Sequence, residues 1–336
     1  MIDVAVQNVT GYAGLGTAQL LLNHPEFRLV AVSGRGEAGK PLRAVFPFWS
    51  GPDLRIEEQV PAVDLVFCAL PHGSAAAAVL PLYRQGAKII DISADFRLRS
   101  PDVYQQWYGA HPAPDLLAEA VYGLPEIHAS ALRGARLVGN PGCYPTAAIL
   151  ALAPAVQQGL LEPDITIDAK SGISGGGRSL TLNNHFSEVN EAVSAYGIQG
   201  HRHLAEMQQE LELLAGQPLT IIFTPHIVPM TRGMLATCYA RLRTPVTGAD
   251  LMDLYRTYYR DAPFVRVMEQ SPSTKWATGN NYCFVYPTLS HSGTHLVALS
   301  ALDNLVKGAA GQAIQNANLV CGLPERTGLD WPMQYP

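Results

Sequence analysis

The chain has 336 residues, 48% hydrophobic and 15% charged, which at about 150 residues per domain predicts about two folded domains and excludes a disordered or fibrous protein. Lys and Arg number 23 against 28 acidic residues, a formal net charge of −5, so there is no basic footprint for a nucleic-acid backbone. Five cysteines (Cys68, Cys143, Cys238, Cys283, Cys321) lie far apart with no CxxC pair, which argues against a disulfide framework or zinc ribbon and for a reducing cytoplasm; no apolar run approaches the ~18 residues of a membrane span.

In chain order, short β-branched runs come first: DVAV at 3–6, LVAVS at 29–33, DLVFCAL at 64–70, KIIDIS at 88–93 and ARLVG at 135–139, alternating with helical stretches. That rhythm predicts a parallel sheet with helices on both faces, an α/β domain of Rossmann type. Beyond about residue 160 the strands lengthen, DITIDAK at 164–170, LTIIFTPHIV at 219–228, GMLATCYARL at 233–242 and NYCFVYPTL at 281–289, and predict a second, mixed α+β domain. Residues 173–200 open with GISGGGR and lack periodicity, the pattern of a functional or mobile loop. The last regular segment, 303–318, reads as a helix that is polar on one face and returns to the first domain.

Two places carry chemistry. After the first strand, Asn8-Val9-Thr10-Gly11-Tyr12-Ala13-Gly14 runs into a helix, and glycines at such a turn let backbone N–H groups approach a pyrophosphate at the helix N-terminus. Asn8 stands where the first glycine of the fingerprint belongs, and asparagine tolerates φ > 0 better than most residues. A glycine-rich turn without a ligand is the plainer alternative. At the end of the second strand, Ser33 and Arg35 replace the acid that would favour NAD; arginine suits a 2′-phosphate, which points to NADPH.

The second place is GNPGCYPTAAILAL at 139–152, where a strand ends, Asn140-Pro141-Gly142 turns the chain and a helical pattern starts beside Pro145. Cys143 therefore sits at a helix N-terminus, where unpaired amides and the dipole favour the nucleophilic thiolate, although a small capping residue would fit the same pattern. The other four cysteines read as packing residues. His201-Arg202-His203 supplies imidazole for proton transfer and an arginine fork for a carboxylate. No HExxH or Cys/His ligand spacing is present, so no metal is expected.

The ordered blocks TGYAG at 10–14, ALPHG at 69–73, DISADFRL at 91–98, GNPGCYPTA at 139–147, SGISGGGR at 171–178, HFSEVNEAVSAYGIQGHRH at 185–203 and DNLVKGAAGQAIQNAN at 303–318 span nearly the whole chain and together resemble the N-acetyl-gamma-glutamyl-phosphate reductase family. The related aspartate-semialdehyde dehydrogenases share its fold and chemistry, and a relative acting on carrier-bound aminoadipyl phosphate carries a different cysteine block. The resemblance implies NADPH-dependent reduction of N-acetyl-gamma-glutamyl phosphate to the semialdehyde through a Cys143 thioester, in arginine biosynthesis, with His201 and His203 as acid/base candidates. It implies an NADP-binding domain over 1–145 and 303–336 and a catalytic and oligomerisation domain of semialdehyde dehydrogenase type over 146–302. Thr10, Gly11, Tyr12, Ala13, Gly14, Ser33, Arg35, Pro71, Ser174, Gly175, Asn304 and Lys307 would hold the cofactor, and Arg97, Asn140 and Arg202 the substrate. A cytoplasmic homo-oligomer, dimer or tetramer, is expected, with a small-molecule substrate and no nucleic-acid or membrane partner. Reduction of another acyl phosphate, carrier-bound aminoadipyl or aspartyl, is one alternative; a cysteine hydrolase and a nucleotide-binding protein without catalysis are others.

Overall fold

The computed structural model describes residues 1–331, which divide into two units, Met1–Pro141 with Ala309–Trp331, and Gly142–Gly308. In the first, the β-branched runs become β1 (Ile2–Gln7), β2 (Phe27–Ser33), β3 (Ile56–Glu57), β4 (Leu65–Cys68), β5 (Lys88–Asp91), β6 (Val121–Tyr122) and β7 (Leu137–Gly139), in the order β3-β2-β1-β4-β5-β7-β6. Every pairing is parallel. Parallel neighbours need crossovers, so helices such as Tyr12–Leu21 and Ala75–Arg84 cover the sheet and β4 is buried at all of its positions. Val66, Cys68, Val79, Ile89, Phe96 and Leu137 lie in one core cluster. The chain builds outward from β1 through β2 and β3, then returns to β1's other side with β4. In a doubly wound sheet the ligand site lies at the carboxyl ends of the strands where the winding reverses, here between β1 and β4.

The final helix starts later than its sequence reading. Regular helix covers Gly311–Val320, preceded by a π-helical turn at Val306–Ala310, and every residue of Gly311–Val320 is buried. Its polar face meets protein: Gln312 and Asn316 donate to the Gly123 carbonyl at 3.0 and 2.8 Å, and Asn318 to the carbonyls of Glu325 and Thr327 at 3.0 and 2.8 Å. An amide row reads the same in sequence whether it faces water or loop carbonyls, and only the tertiary fold decides.

The second unit contains β8 (Leu161–Gly172), β9 (Ser194–Ala195), β10 (Thr220–Val228), β11 (Met234–Leu242), β12 (Val265–Val267), β13 (Cys283–Leu289) and β14 (His295–Leu302), in the order β12-β13-β14-β11-β8-β10-β9. The sheet is mixed, with β8 parallel to β10 and antiparallel to β11. Its strands alternate: Ile165, Ile167 and Ala169 face the buried side, which the helix Cys143–Gln157 covers. On the other side Ile222, Thr166, Tyr239 and Val297 stand in one row across four strands, with Ile222 60% and Tyr239 42% exposed. Strand β14 has no counterpart in the sequence reading; small Ala298 and Ser300 lie between Leu296 and Leu302 on its buried side, and Ser300 approaches the nucleophile helix closely enough to donate to the Ala147 carbonyl at 2.7 Å. Residues 173–200 hold only short turns and β9.

Candidate active site and nucleotide crevice

In the first unit, the turn after β1 is built around Asn8, which adopts φ 59°. That left-handed conformation suits glycine, and asparagine meets it while adding a side chain whose Nδ2 donates to the Ala69 carbonyl at 2.8 Å, stitching β1 to β4 across the reversal point. Gly14 leaves no alternative residue, since a Cβ there would lie 2.2 Å from the Asn8 carbonyl oxygen. The helix Tyr12–Leu21 then begins at Gly11 with no capping side chain and no acid in its first turn. By contrast, the amides at the start of Ala75–Arg84 are taken internally, with Asp95 accepting from Gly73 at 2.7 Å and Ala76 at 2.9 Å. An anion is therefore best met at Thr10–Gly14, and the close approach at Gly14 fits a dinucleotide phosphate. Ser33 is buried at the end of β2 and Arg35 exposed just beyond it; Pro71 is exposed in the loop that Asp95 pins.

The DISADFR block supports the neighbouring turn. Gly139 packs so closely on Phe96 that a Cβ would come 2.1 Å from its carbonyl oxygen. Arg97, only 8% exposed, donates from Nε to the Asn140 carbonyl at 2.7 Å and from a terminal nitrogen to the Ile92 carbonyl at 2.9 Å. The Asn140 side chain donates to the Ala309 carbonyl at 3.2 Å and accepts from Asn316 at 2.9 Å. Burial, reinforced by the Asp95 charge, pushes the Asp91 carboxyl up to about 7.

In the second unit, Gly142 is the N-cap and Cys143 the first residue of a 15-residue helix, with Pro145 third rather than first. Apart from half-buried Cys143 and exposed Gln157, the helix is buried throughout. A Cβ on Gly308 would lie 2.7 Å from the Cys143 Cβ, and one on Gly142 would lie 2.6 Å from Nε2 of His203, so two glycines make room for the thiol and the imidazole. The Gly142 N–H donates at 2.9 Å to Glu206, a fully buried carboxylate whose other oxygen is 3.9 Å from His203 Nε2.

The two histidines differ in environment. His203 donates its backbone N–H to His201 Nδ1 at 3.1 Å, which leaves the proton of a neutral His201 on Nε2. Burial, then the Arg202 charge, pull the His201 imidazole down to about 4. Its ring lies edge-on to Tyr144 and Tyr196, with centroids 5.8 and 5.5 Å away. Burial also holds the protons on both tyrosines, raising Tyr196 to about 12 and Tyr144 further; Tyr196 donates to the Tyr144 hydroxyl at 3.2 Å, which donates to the His226 carbonyl at 3.1 Å.

Among the other expected residues, Ser174 and Asn304 meet: Asn304 donates to the Ser174 hydroxyl at 2.9 Å and accepts the Gly233 N–H at 2.8 Å. Gly175 is exposed beside them, Lys307 is fully buried near the Phe264 ring, and Arg202 is exposed. Asp303 caps the π-helical turn, accepting from Leu305 and Val306 at 2.8 and 3.2 Å. Glu206, Tyr144 and Tyr196 escape the sequence reading; the signal available for Glu206 was an acid three residues after His203, one helical turn along. Among the described residues no group of three or more His, Cys, Asp or Glu is arranged to hold a metal ion, and no helix is long and apolar enough to cross a membrane.

A doubly wound nucleotide crevice and a helix-start cysteine backed by histidine define the semialdehyde dehydrogenase class, and two family models match accordingly: semialdehyde dehydrogenase, NAD binding domain, over residues 3–135, and semialdehyde dehydrogenase, dimerisation domain, over 143–304. Aspartate semialdehyde dehydrogenase II from Vibrio cholerae, complexed with ASA, shares the fold with a TM-score of 0.74 at 17% identity, covering 96% of this chain and 98% of its own. The aspartate semialdehyde dehydrogenase with NADP from Candida albicans has a TM-score of 0.68 at 14% identity, covering 96% and 98%. Among curated proteins, the N-acetyl-gamma-glutamyl-phosphate reductase of Dehalococcoides mccartyi is 51% identical over 96% of this chain and 95% of its own length, and that of Pelotomaculum thermopropionicum 47% identical over 100% and 99%. The chain belongs to the N-acetyl-gamma-glutamyl-phosphate reductase family.

Proposed function

We propose that this protein is an NADPH-dependent reductase of N-acetyl-gamma-glutamyl phosphate, yielding the 5-semialdehyde and phosphate in arginine biosynthesis, and that Cys143 and His203 carry the chemistry. The observation behind the mechanism is the position of Cys143 as first residue of a buried helix whose N-cap, Gly142, packs against the His203 imidazole. Family membership favours this acyl phosphate over aminoadipyl or aspartyl phosphate and over a cysteine hydrolase or a binding protein without catalysis.

His203 takes the thiol proton, and Sγ of Cys143 attacks the acyl carbon; the C–S bond forms as the C–O bond to phosphate breaks and phosphate departs with the electron pair. NADPH, when bound, supplies the hydride that reduces the resulting thioester. His203 then exchanges a proton with the substrate oxygen as the C–S bond breaks, releasing aldehyde and restoring the thiolate. Charge on that oxygen is met by the amides of Cys143 and Tyr144, since Pro145 has no N–H and that of Gly142 goes to Glu206. His201, held neutral, orders the HRH turn through Nδ1.

In this reading the cofactor-holding residues are Thr10 to Gly14, Ser33, Arg35 and Pro71, with Arg35 on the 2′-phosphate, together with Ser174, Gly175, Asn304 and Lys307. Arg202 takes the substrate carboxylate. Arg97 and Asn140 serve the substrate chiefly by fixing the turn before Cys143, because their hydrogen bonds go to the chain itself. Two copies associate through the open face of the second sheet, and the enzyme works in the cytoplasm.

The test is NADP⁺ reduction with N-acetyl-glutamate semialdehyde plus phosphate, beside aspartate semialdehyde. Phosphate-dependent turnover of the acetylated substrate is expected, with Cys143→Ser losing at least about 1,000-fold in kcat while binding NADPH as before. Appreciable activity in Cys143→Ser would rule out the thioester.

A further inference from the structure

We propose that Glu206 is a positioning residue for this reaction, a single carboxylate that fixes both the turn presenting Cys143 and the imidazole of His203. The inference rests on the functional reading above but goes beyond it, because Glu206 touches neither substrate nor cofactor in that mechanism. Glu206 is fully buried on the helix His203–Ala215, three residues after His203. Its two oxygens divide their work: Oε2 accepts the Gly142 N–H at 2.9 Å, and Oε1 lies 3.9 Å from His203 Nε2. Gly142 is the N-cap of the nucleophile helix and has no space for a Cβ on the side of the His203 ring. The carboxylate, the imidazole and the cap residue therefore form one packed group, and Cys143 follows directly in the chain.

A carboxylate here has opposing effects. Placed at the helix start it competes with a thiolate for the same positive potential, whereas beside His203 it favours the imidazolium that would pair with that thiolate. The second effect requires His203, and that requirement separates positioning from plain packing. The His203 ring meets those of Tyr144, on the nucleophile helix, and His201 at centroid distances of 5.9 and 4.8 Å, and Arg202 precedes it in the chain; Tyr196 lies against His201, and Tyr144 donates to the carbonyl of His226 on β10, whose Nδ1 turns to Asp168 at 3.1 Å. On its own helix Glu210 is also buried, one turn beyond Glu206.

The experiment compares Glu206→Gln, Glu206→Asp, His203→Gln and the Glu206→Gln/His203→Gln double variant in the full chain. Two readouts are followed: reductase kcat and KM, and the pH dependence of Cys143 alkylation by iodoacetamide, resolved by peptide mass. Glu206→Gln keeps an acceptor for Gly142 but loses the charge, so kcat is expected to fall about 100-fold with KM little changed. The alkylation midpoint is expected to move, Glu206→Asp to recover part of the loss, and the Glu206→Gln effect to vanish in the His203→Gln background. Unchanged kcat and midpoint, or full additivity with His203→Gln, would overturn the proposal. Should Glu206→Gln fail to fold, the titration of His203 in the unsubstituted chain decides by NMR: a midpoint above the ordinary value of about 6.5 supports the pairing, and one at or below it overturns it. Alkylation needs neither substrate nor cofactor, so a chain inactive on the acetylated substrate would refute the functional reading while still testing Glu206.

Discussion

His201 illustrates how one residue's setting becomes a property of the protein. Folding takes its imidazole from an ordinary 6.5 to about 4, so between those values the folded chain binds fewer protons than the unfolded one. The stability this confers is complete above about pH 6.5 and is lost as pH falls through 4, amounting to at most about 3 kcal/mol. His201→Asn keeps an acceptor for the His203 N–H but cannot titrate. Between pH 7 and 4 the parent should lose more unfolding free energy than His201→Asn, by up to that amount, in urea titrations; parallel pH curves would show that His201 does not titrate on unfolding as described. Sequence spacing left His201 and His203 equivalent. What distinguishes them is a backbone N–H, a buried ring and a carboxylate one turn away, none of which the HRH string displays. Cys143 was legible because strand end, turn and helix start are local signals, whereas Arg97 gave no hint that its hydrogen bonds go to the carbonyls of Asn140 and Ile92.

At the scale of elements, the nucleophile helix contains a proline that its packing accommodates. Pro154 has no N–H to offer the Leu150 carbonyl one turn earlier. The Tyr259 hydroxyl donates to that carbonyl at 2.6 Å, and the Tyr255 hydroxyl donates to the next one, Ala151, at 2.7 Å. Both tyrosines are buried on or just after the helix Gly248–Tyr258, so a distant segment completes the hydrogen bonding of the helix that presents Cys143. Tyr259→Phe should cost about 1–3 kcal/mol in denaturant titrations. Adding Pro154→Ala should recover much of that loss by restoring a backbone donor to Leu150, and a double variant no more stable than Tyr259→Phe alone would contradict this account. The helix itself was legible as an apolar Ala/Leu run. Its partners were not, because a tyrosine hydroxyl that serves a carbonyl more than 100 residues away leaves no mark on either local sequence.

For the whole molecule, the two sheets differ in how they are finished. The first is parallel and covered, as its continuous apolar strands foretold; the second is mixed and leaves the row through Ile222, Thr166, Tyr239 and Val297 open. Large exposed apolar side chains on a strand face mark a surface for association, consistent with the dimerisation domain matched over residues 143–304. Tyr239→Lys, in the middle of that row, should shift the sedimentation profile toward monomer at micromolar concentration without changing the fold by circular dichroism; an unaltered profile would place the association elsewhere. The sequence marked these longer strands as a mixed domain but did not separate their buried face from the open one, which the alternation of β8, β10 and β11 shows. The first unit, finally, is interrupted by the second in the order of synthesis. Asn140 and its partner Asn316 are 176 residues apart, so at roughly 5–20 residues per second the ribosome leaves that hydrogen bond unmade for about 10–35 s. Throughout nearly all of that interval the Gly123 carbonyl also waits for its two amides, while the residues of the contiguous second unit are being added. The unit that begins first is thus completed last, and a chain cut after residue 141 is an unfinished unit rather than a separable one.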